Sequence, residues 1–182
     1  MRKKLSWLML FSATIVLTGI YVAKARATTA SGFVGTTVAV ARFGEIDVFN
    51  QLPRNGNVWL SLQKTKGSSD VYVQSNVWQP KNVAQPNGGS TGWHTHPGHS
   101  LIIVTSGTLT EYDGECKPHV YAFVPGQPAP TFVDPGRGHV HIVRNEGSVV
   151  ASSIAVQLVP FDPKKANRRI DAAAPADCPN IL

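Results

Sequence analysis

The stretch Gly92-Trp93-His94-Thr95-His96-Pro97-Gly98-His99 contains three of the chain's six histidines, and the other three lie at positions 119, 139 and 141. All six therefore fall between residues 94 and 141 of a 182-residue chain. Imidazole is the commonest side-chain metal ligand in proteins. This clustering predicts a metal site, whose first ligands lie in the quoted stretch.

A second histidine pair, in Gly138-His139-Val140-His141, has the same spacing as His94 and His96. Alternate side chains of a β-strand point to one face, so each pair would present two imidazoles on the same side. Two such pairs on neighbouring strands can share one cation. The spacing thus predicts a site built from two strands that are far apart in sequence.

Other residues stand at characteristic distances from these histidines. The upstream segment contains, in order, Gly88, His94, His96, Ser100 and Gly107. Its spacing resembles the first motif of the cupin superfamily, small β-barrels of the jelly-roll type, in which a glutamate normally occupies the position of Ser100. The resemblance implies an all-β, single-domain cupin barrel.

The downstream segment resembles the second cupin motif. Gly138, His141 and Asn145 match it, while the proline is displaced by one residue to Pro135 and the leading glycine is not clear. The direct resemblance covers residues 88–145. Flanking strands extend it over about residues 57–160.

From Trp59 onward the chain is similar to a group of exported bacterial cupin-domain proteins. This resemblance implies the fold and export, but no particular reaction. The stretches that match are Lys66 to Val73, Gly92 to Gly98, Thr108 to Thr110, Tyr112 to Gly114, Gly138 to His141, Arg169 to Asp171 and Cys178-Pro179.

The cupin resemblance implies that His94, His96 and His141 are the metal ligands. Serine is a poor ligand for a divalent ion, so Ser100 leaves a three-histidine set with an open position for water or substrate. Zn, Fe, Cu, Ni and Mn all suit imidazole, and the sequence does not select among them.

The remaining histidines receive lesser roles. His99 and Ser100 are candidate additional ligands, although strand alternation places these two side chains on opposite faces. His139 would share a face with His141 and either contact the substrate or form hydrogen bonds without a chemical role. His119 follows Pro118 in a loop and is expected at the surface.

Three functional readings remain open. In the first, the open coordination position serves the reaction of a small-molecule dioxygenase, isomerase or lyase. In the second, it binds a small oxygen-bearing or anionic ligand without catalysis. In the third, the metal site is vestigial. An enzyme would need a polar acid or base inside the barrel. The candidates, on strands that alternate polar with apolar residues, are Tyr72, Gln74, Asn76, Glu111, Tyr121 and Gln157.

Two unrelated hydrolase families fit poorly. The quoted stretch has the H-x-H-x-x-H skeleton of metallo-β-lactamases, but Gly98 occupies the position of their aspartate. Ser100 or Ser106 beside a histidine could suggest a nucleophile, yet the chain has no G-x-S-x-G segment.

The N-terminus has the layout of a signal peptide over residues 1–27. A basic start precedes the apolar run Leu5 to Val22, and Ala25-Arg26-Ala27 offers a cleavage site. An uncleaved membrane anchor is the alternative. The segment contains five of the 17 basic residues, which leaves 12 against 11 acidic ones, so the charge gives no indication of nucleic-acid binding. We expect a secreted or periplasmic protein.

Export permits a disulfide between Cys116 and Cys178, with free thiols or soft metal ligands as alternatives.

Predicted strands follow the approach segment 28–56, whose structure stays open, and form the barrel at 57–160. Residues 161–182 are expected to be an extended tail, held at most by Cys178, with Lys164-Lys165 and Arg168-Arg169 in solvent. A homodimer is the family-based expectation. The predicted strands are Asn57 to Leu62, Asp70 to Trp78, Ser100 to Thr105, Thr108 to Asp113, His119 to Val124, Gly138 to Val143 and Val149 to Val159.

Overall fold

A computed structural model describes residues 27–43, 69–160 and 168–181, and within these ranges every regular element is a β-strand. No helix in the described ranges has the length and apolarity of a membrane span. The strands in chain order are β1 (Phe33–Phe43), β2 (Ser69–Trp78), β3 (His94–Thr95), β4 (Ser100–Ser106), β5 (Thr108–Tyr112), β6 (Pro118–Ala122), β7 (Thr131–Asp134), β8 (Ile142–Arg144), β9 (Ala151–Pro160) and β10 (Ile170–Asp171).

Antiparallel strands form one large sheet and two small ones. The five-stranded sheet has the order β1-β2-β9-β4-β7, the three-stranded sheet β6-β5-β8, and β10 pairs with β3. The backbone bridge Ser90↔Arg144 connects the segment before β3 to β8. The bridge His94↔His141 connects β3 to the residue before β8. The small sheets thereby form one surface opposite the large sheet.

The main core lies between these two surfaces, because alternate residues of each strand point inward. In β9 every second residue from Ala151 to Val159 is buried, and β4 and β7 alternate in the same way. The buried apolar cluster consists of Trp78, Ile102, Val104, Leu109, Phe132, Val143, Ala151 and Ala155. This is an all-β jelly-roll arrangement, as the sequence predicted.

Most predicted strands are present, with shifted ends. The strand expected over Gly138 to Val143 begins only at Ile142, because Gly136 and Gly138 have positive φ angles of 63° and 91° and form a turn. Three strands were not predicted: β1, β7 and β10. β3 is the strand that the His94 and His96 pair implied, and it covers only His94 and Thr95. The predicted strand Asn57 to Leu62 and the signal segment lie outside the described residues.

The described C-terminal residues are attached at several points, so the expectation of a tail held only by Cys178 was wrong. Ile170 and Asp171 pair with Thr95 and His94. Trp93 is fully buried, and its indole N–H donates to the Ile181 carbonyl at 2.6 Å. Without these residues, the outer edge of β3 would lose its backbone partners.

Cys116 and Cys178 form a disulfide across 62 residues of sequence, which confirms the predicted pairing. Cys178 is 1% exposed and belongs to a second apolar cluster with Trp93 and Ile142. The disulfide therefore anchors the C-terminal segment directly behind the histidine stretch.

Candidate metal centre

His94, His96 and His141 converge on one point, and each can offer a ligand atom within 4.8 Å of the other two. The ring centroids of His94 and His141 are 4.4 Å apart, and those of His94 and His96 are 4.8 Å apart. Paired backbones produce this proximity, because His94 and His141 exchange two hydrogen bonds of 2.9 and 3.0 Å.

Backbone carbonyls fix the orientation of all three rings. The Nδ1 atoms of His94, His96 and His141 lie 2.8, 2.6 and 3.4 Å from the carbonyls of Gly92, Arg168 and His139. A carbonyl can only accept, so each Nδ1 holds the proton and each Nε2 keeps its lone pair. Histidine ligands of protein-bound metals are oriented by hydrogen bonds of this kind.

Burial keeps the three imidazoles neutral. It is the main cause that lowers the pKa of His141 to about 4, and it also lowers the pKa of His94 and of His96. The positive charge of Arg169 acts in the same direction on His94 and His96. Neutral imidazole is the form that binds a metal, so the rings are ready for one at neutral pH.

Asp134 is a carboxylate in this site that the sequence did not predict. It lies at the end of β7 directly opposite Ser100 of β4 and is 1% exposed. Its Oδ1 accepts the Gly136 N–H at 2.9 Å and lies 3.3 Å from His139 Nδ1. Its Oδ2 is buried, has no hydrogen-bond partner among the described residues and lies 3.9 Å from His96 Nε2.

The other predicted site residues are divided between the cavity and its surroundings. Ser100 lines the cavity, and its Oγ has no hydrogen-bond partner within the described ranges. His99 is outside the converging group, as strand alternation predicted. His139 stacks on His141 with ring centroids 5.5 Å apart, and His119 has 48% of its side chain exposed.

The buried Glu111 and the half-buried Tyr121 form a pair beside His139. The Tyr121 hydroxyl donates to Glu111 Oε2 at 3.2 Å. Burial raises the pKa of Glu111. Burial and the neighbouring Glu111 raise the pKa of Tyr121 to about 12. Glu111 also lies within ligand distance of His139 and His141. Neither Glu111 nor Tyr121 is among the described residues that line the cavity.

A cavity of about 390 Å³ opens in front of the three histidines. Gln74, Asn76 and Gln157 line it, as expected, and so do Arg168 and Arg169. The expectation that these two arginines lie in solvent was therefore wrong. Pairing of β10 with β3 brings them to the cavity, and no local pattern in the sequence predicts that pairing. The apolar part of the lining consists of Phe33, Trp78, Ile102, Phe132, Val143 and Ala155.

The antiparallel sheets and the convergence of His94, His96 and His141 are the features that the cupin resemblance of the sequence implies. No protein-family model matches the chain. No curated protein matches it either.

Several solved structures are similar in fold. A cupin-like protein from Thermotoga maritima MSB8 is 18% identical, with a TM-score of 0.43 over 57% of this chain and 65% of that protein. A cupin domain from Bordetella pertussis Tohama I is 17% identical, with a TM-score of 0.40 over 73% and 96%. A polyketide cyclase from Streptomyces resistomycificus is 16% identical, with a TM-score of 0.42 over 59% and 63%. The chain thus spans just under two thirds of the first and third of these proteins.

Proposed function

We propose that this protein is an exported cupin that holds one divalent transition metal through His94, His96 and His141, with Asp134 as a fourth ligand. The observation that supports this most is the set of three Nδ1–carbonyl contacts, which leave the three Nε2 lone pairs free in a group whose ligand atoms lie within 4.8 Å of one another. Ligands beyond these four would come from water or from a small molecule in the cavity.

The donor set fits such an ion chemically. Three neutral imidazoles and one carboxylate suit Zn, Fe, Cu, Ni and Mn. The free Oδ2 of Asp134 is 3.9 Å from His96 Nε2, and an unsatisfied buried carboxylate oxygen is costly unless a cation or donor meets it. A bound divalent ion would supply that partner and, at its open positions, Lewis acidity.

A metal-dependent dioxygenase, isomerase or lyase remains one form of this proposal, and a non-catalytic ligand-binding protein is the other. One observation favours the second form. Neither Glu111 nor Tyr121 lines the cavity, although Glu111 lies within 4.8 Å of ligand atoms of His139 and His141, so the pair does not face a ligand in the cavity. General acid–base work needs such a group within hydrogen-bond reach.

Export is part of the proposal. The Cys116–Cys178 disulfide is compatible with an oxidising compartment, where such bonds persist. The signal-peptide pattern of residues 1–27 supports the same destination. A homodimer stays a family-based prediction.

Metal content tests the site directly. We would strip the purified protein with a chelator, reload it with Zn²⁺ or Co²⁺, and measure bound metal by elemental analysis. We expect about one equivalent for the wild type, as for a site with a single set of convergent ligands. The double variant His94→Ala/His141→Ala should bind far less.

The matched control is His119→Ala, because His119 is an exposed histidine outside the cavity. This variant should bind as much metal as the wild type. If the double variant folds and still binds one equivalent, the ligand assignment is wrong. If the wild type itself binds none, the site is vestigial.

A further inference from the structure

A row of polar side chains crosses the inner face of the large sheet. Strand register places Tyr72, Gln157, Ser100 and Asp134 side by side on β2, β9, β4 and β7. Ser100 Oγ, Gln157 Oε1 and Asp134 Oδ2 are all buried without a hydrogen-bond partner in the described ranges. Buried polar atoms are normally satisfied. Gln157 Oε1 and Asp134 Oδ2 accept only and call for a donor or a cation, whereas the Ser100 hydroxyl can donate to a ligand.

Arg168 lies at the Tyr72 end of the row. Its guanidinium carbon is 4.3 Å from the centroid of the Tyr72 ring, and its Nη2 donates to Thr37 Oγ1 at 3.0 Å. These two contacts fix the plane of the guanidinium. Its Nη1 is buried and, among the described residues, has no acceptor.

The charges around the cavity favour an anion. Arg169 is paired with Asp171 through a contact of 2.6 Å, whereas Arg168 has no carboxylate within salt-bridge distance in the described ranges. Asp134 is the acidic residue of the described lining. Because a divalent ion would more than balance Asp134, the charge of Arg168 would remain to be neutralised by a ligand.

The remaining walls favour an organic ligand. Phe33, Trp78 and Phe132 are aromatic, and Ile102 and Val143 add aliphatic surface. The volume of about 390 Å³ is in the range of small-molecule sites. Inorganic phosphate would leave this apolar surface without a contact.

We propose that the cavity binds the carboxylate of a small organic acid with an apolar body, and that Arg168 is its anion-binding residue. The inference rests on the proposed function, since the acid would occupy the cavity in front of the metal ligands. Planar guanidinium and carboxylate groups match in geometry, and their hydrogen bonds are about twice as strong as neutral ones.

A pair of ligands of equal shape tests the charge requirement. Benzoate and benzamide would be titrated by calorimetry into the full chain, once zinc-loaded and once metal-free. We expect benzoate to bind at least about 10-fold more tightly than benzamide in both forms. Arg168→Gln should abolish that preference, and Lys117→Gln, which changes an exposed cation, should keep it.

Metal content separates this role from a structural one. Arg168 holds His96 through its backbone carbonyl, so a side-chain substitution should leave the metal content unchanged. Arg168→Lys keeps the charge and provides a second variant if Arg168→Gln unfolds. It should retain part of the preference.

Equal binding of benzoate and benzamide by the wild type would overturn the inference. Tighter Arg168-dependent binding of inorganic phosphate than of benzoate would overturn the organic acid. If the wild type binds no metal, the proposed function fails, while the metal-free titration still decides whether Arg168 recognises a carboxylate.

Discussion

Ser100 and Asp134 are direct cross-strand neighbours, so a carboxylate lies beside the position at which the cupin resemblance leads us to expect a glutamate. Side chains opposite each other on antiparallel strands have Cβ atoms about 5 Å apart. A carboxylate on β7 can therefore reach the space next to position 100 of β4 without a shift of the backbone. Asp134 is fixed for this role by the Gly136 N–H and by His139.

A carboxylate exchange between these two positions tests the role of Asp134. We expect Asp134→Ala to weaken zinc affinity by about 100-fold or more. A residue that only forms a hydrogen bond to a metal ligand usually costs about 10- to 100-fold when it is replaced. The double variant Ser100→Glu/Asp134→Ala should regain most of that affinity, because it returns the carboxylate to the cupin position. Competition with a chromophoric chelator would measure both.

Glu115→Gln is the matched control, since Glu115 is 73% exposed at its side chain. It should bind zinc like the wild type. If Asp134 only oriented His141 through Nδ1, 3.7 Å away, glutamate at position 100 would not restore the affinity.

At the same scale, the sequence predicted the three histidines but not Asp134, Arg168 or Arg169. The histidines could be predicted because two matching pairs indicate two strands. Asp134 ends a strand of four residues between Pro130 and Pro135, and these prolines favour a loop over a strand. His139 was expected on the same strand as His141, but the turn at Gly136 to Gly138 delays β8 until Ile142.

At the scale of elements, the short strand β10 contributes more to the site than its length indicates. It pairs with β3. Just before it, the backbone carbonyl of Arg168 accepts the His96 Nδ1–H at 2.6 Å. Strands such as β2 and β9 could be predicted from alternating β-branched residues. β10 could not, because two residues are too few to show a period and its pairing with β3 is a long-range contact.

Removal of the disulfide should loosen this element. We expect Cys116→Ser/Cys178→Ser to lower the free energy of unfolding by about 4 kcal/mol, the value of the chain-entropy model for a loop of this size. Zinc affinity should also fall, because His96 would lose part of its fixed orientation. Urea unfolding and chelator competition would measure the two effects.

The single variant Ile181→Ala serves as a comparison, since the Ile181 backbone carbonyl that meets Trp93 remains. It should change zinc affinity little. A disulfide-free protein with unchanged stability and unchanged affinity would show that the C-terminal segment stays in place without the disulfide.

At the scale of the whole molecule, the buried neutral histidines make stability depend on pH. Burial lowers the pKa of His141 to about 4, whereas an unfolded histidine titrates near 6.5. Between these values the unfolded chain binds more protons, so the free energy of unfolding falls as the pH falls. For His141 alone the loss would be about 3 kcal/mol, at 1.36 kcal/mol for each pKa unit.

Urea unfolding of the metal-free protein at pH 8, 6.5 and 5 measures this dependence. The wild type should lose more stability from pH 6.5 to 5 than from pH 8 to 6.5. His141→Gln should show a smaller loss, and His119→Ala the same loss as the wild type. Equal slopes for the His141 variant and the wild type would contradict the prediction.

The two backbone hydrogen bonds between His94 and His141 have a consequence for how the protein acquires its ion. They bridge two backbone segments that are far apart in sequence, so folding itself brings two of the proposed ligands together. If the protein is exported as proposed, it would fold without its ion and take one up afterwards. Which ion it holds would depend on the metals present at its destination, and occupancy could change many times during the life of one molecule without refolding.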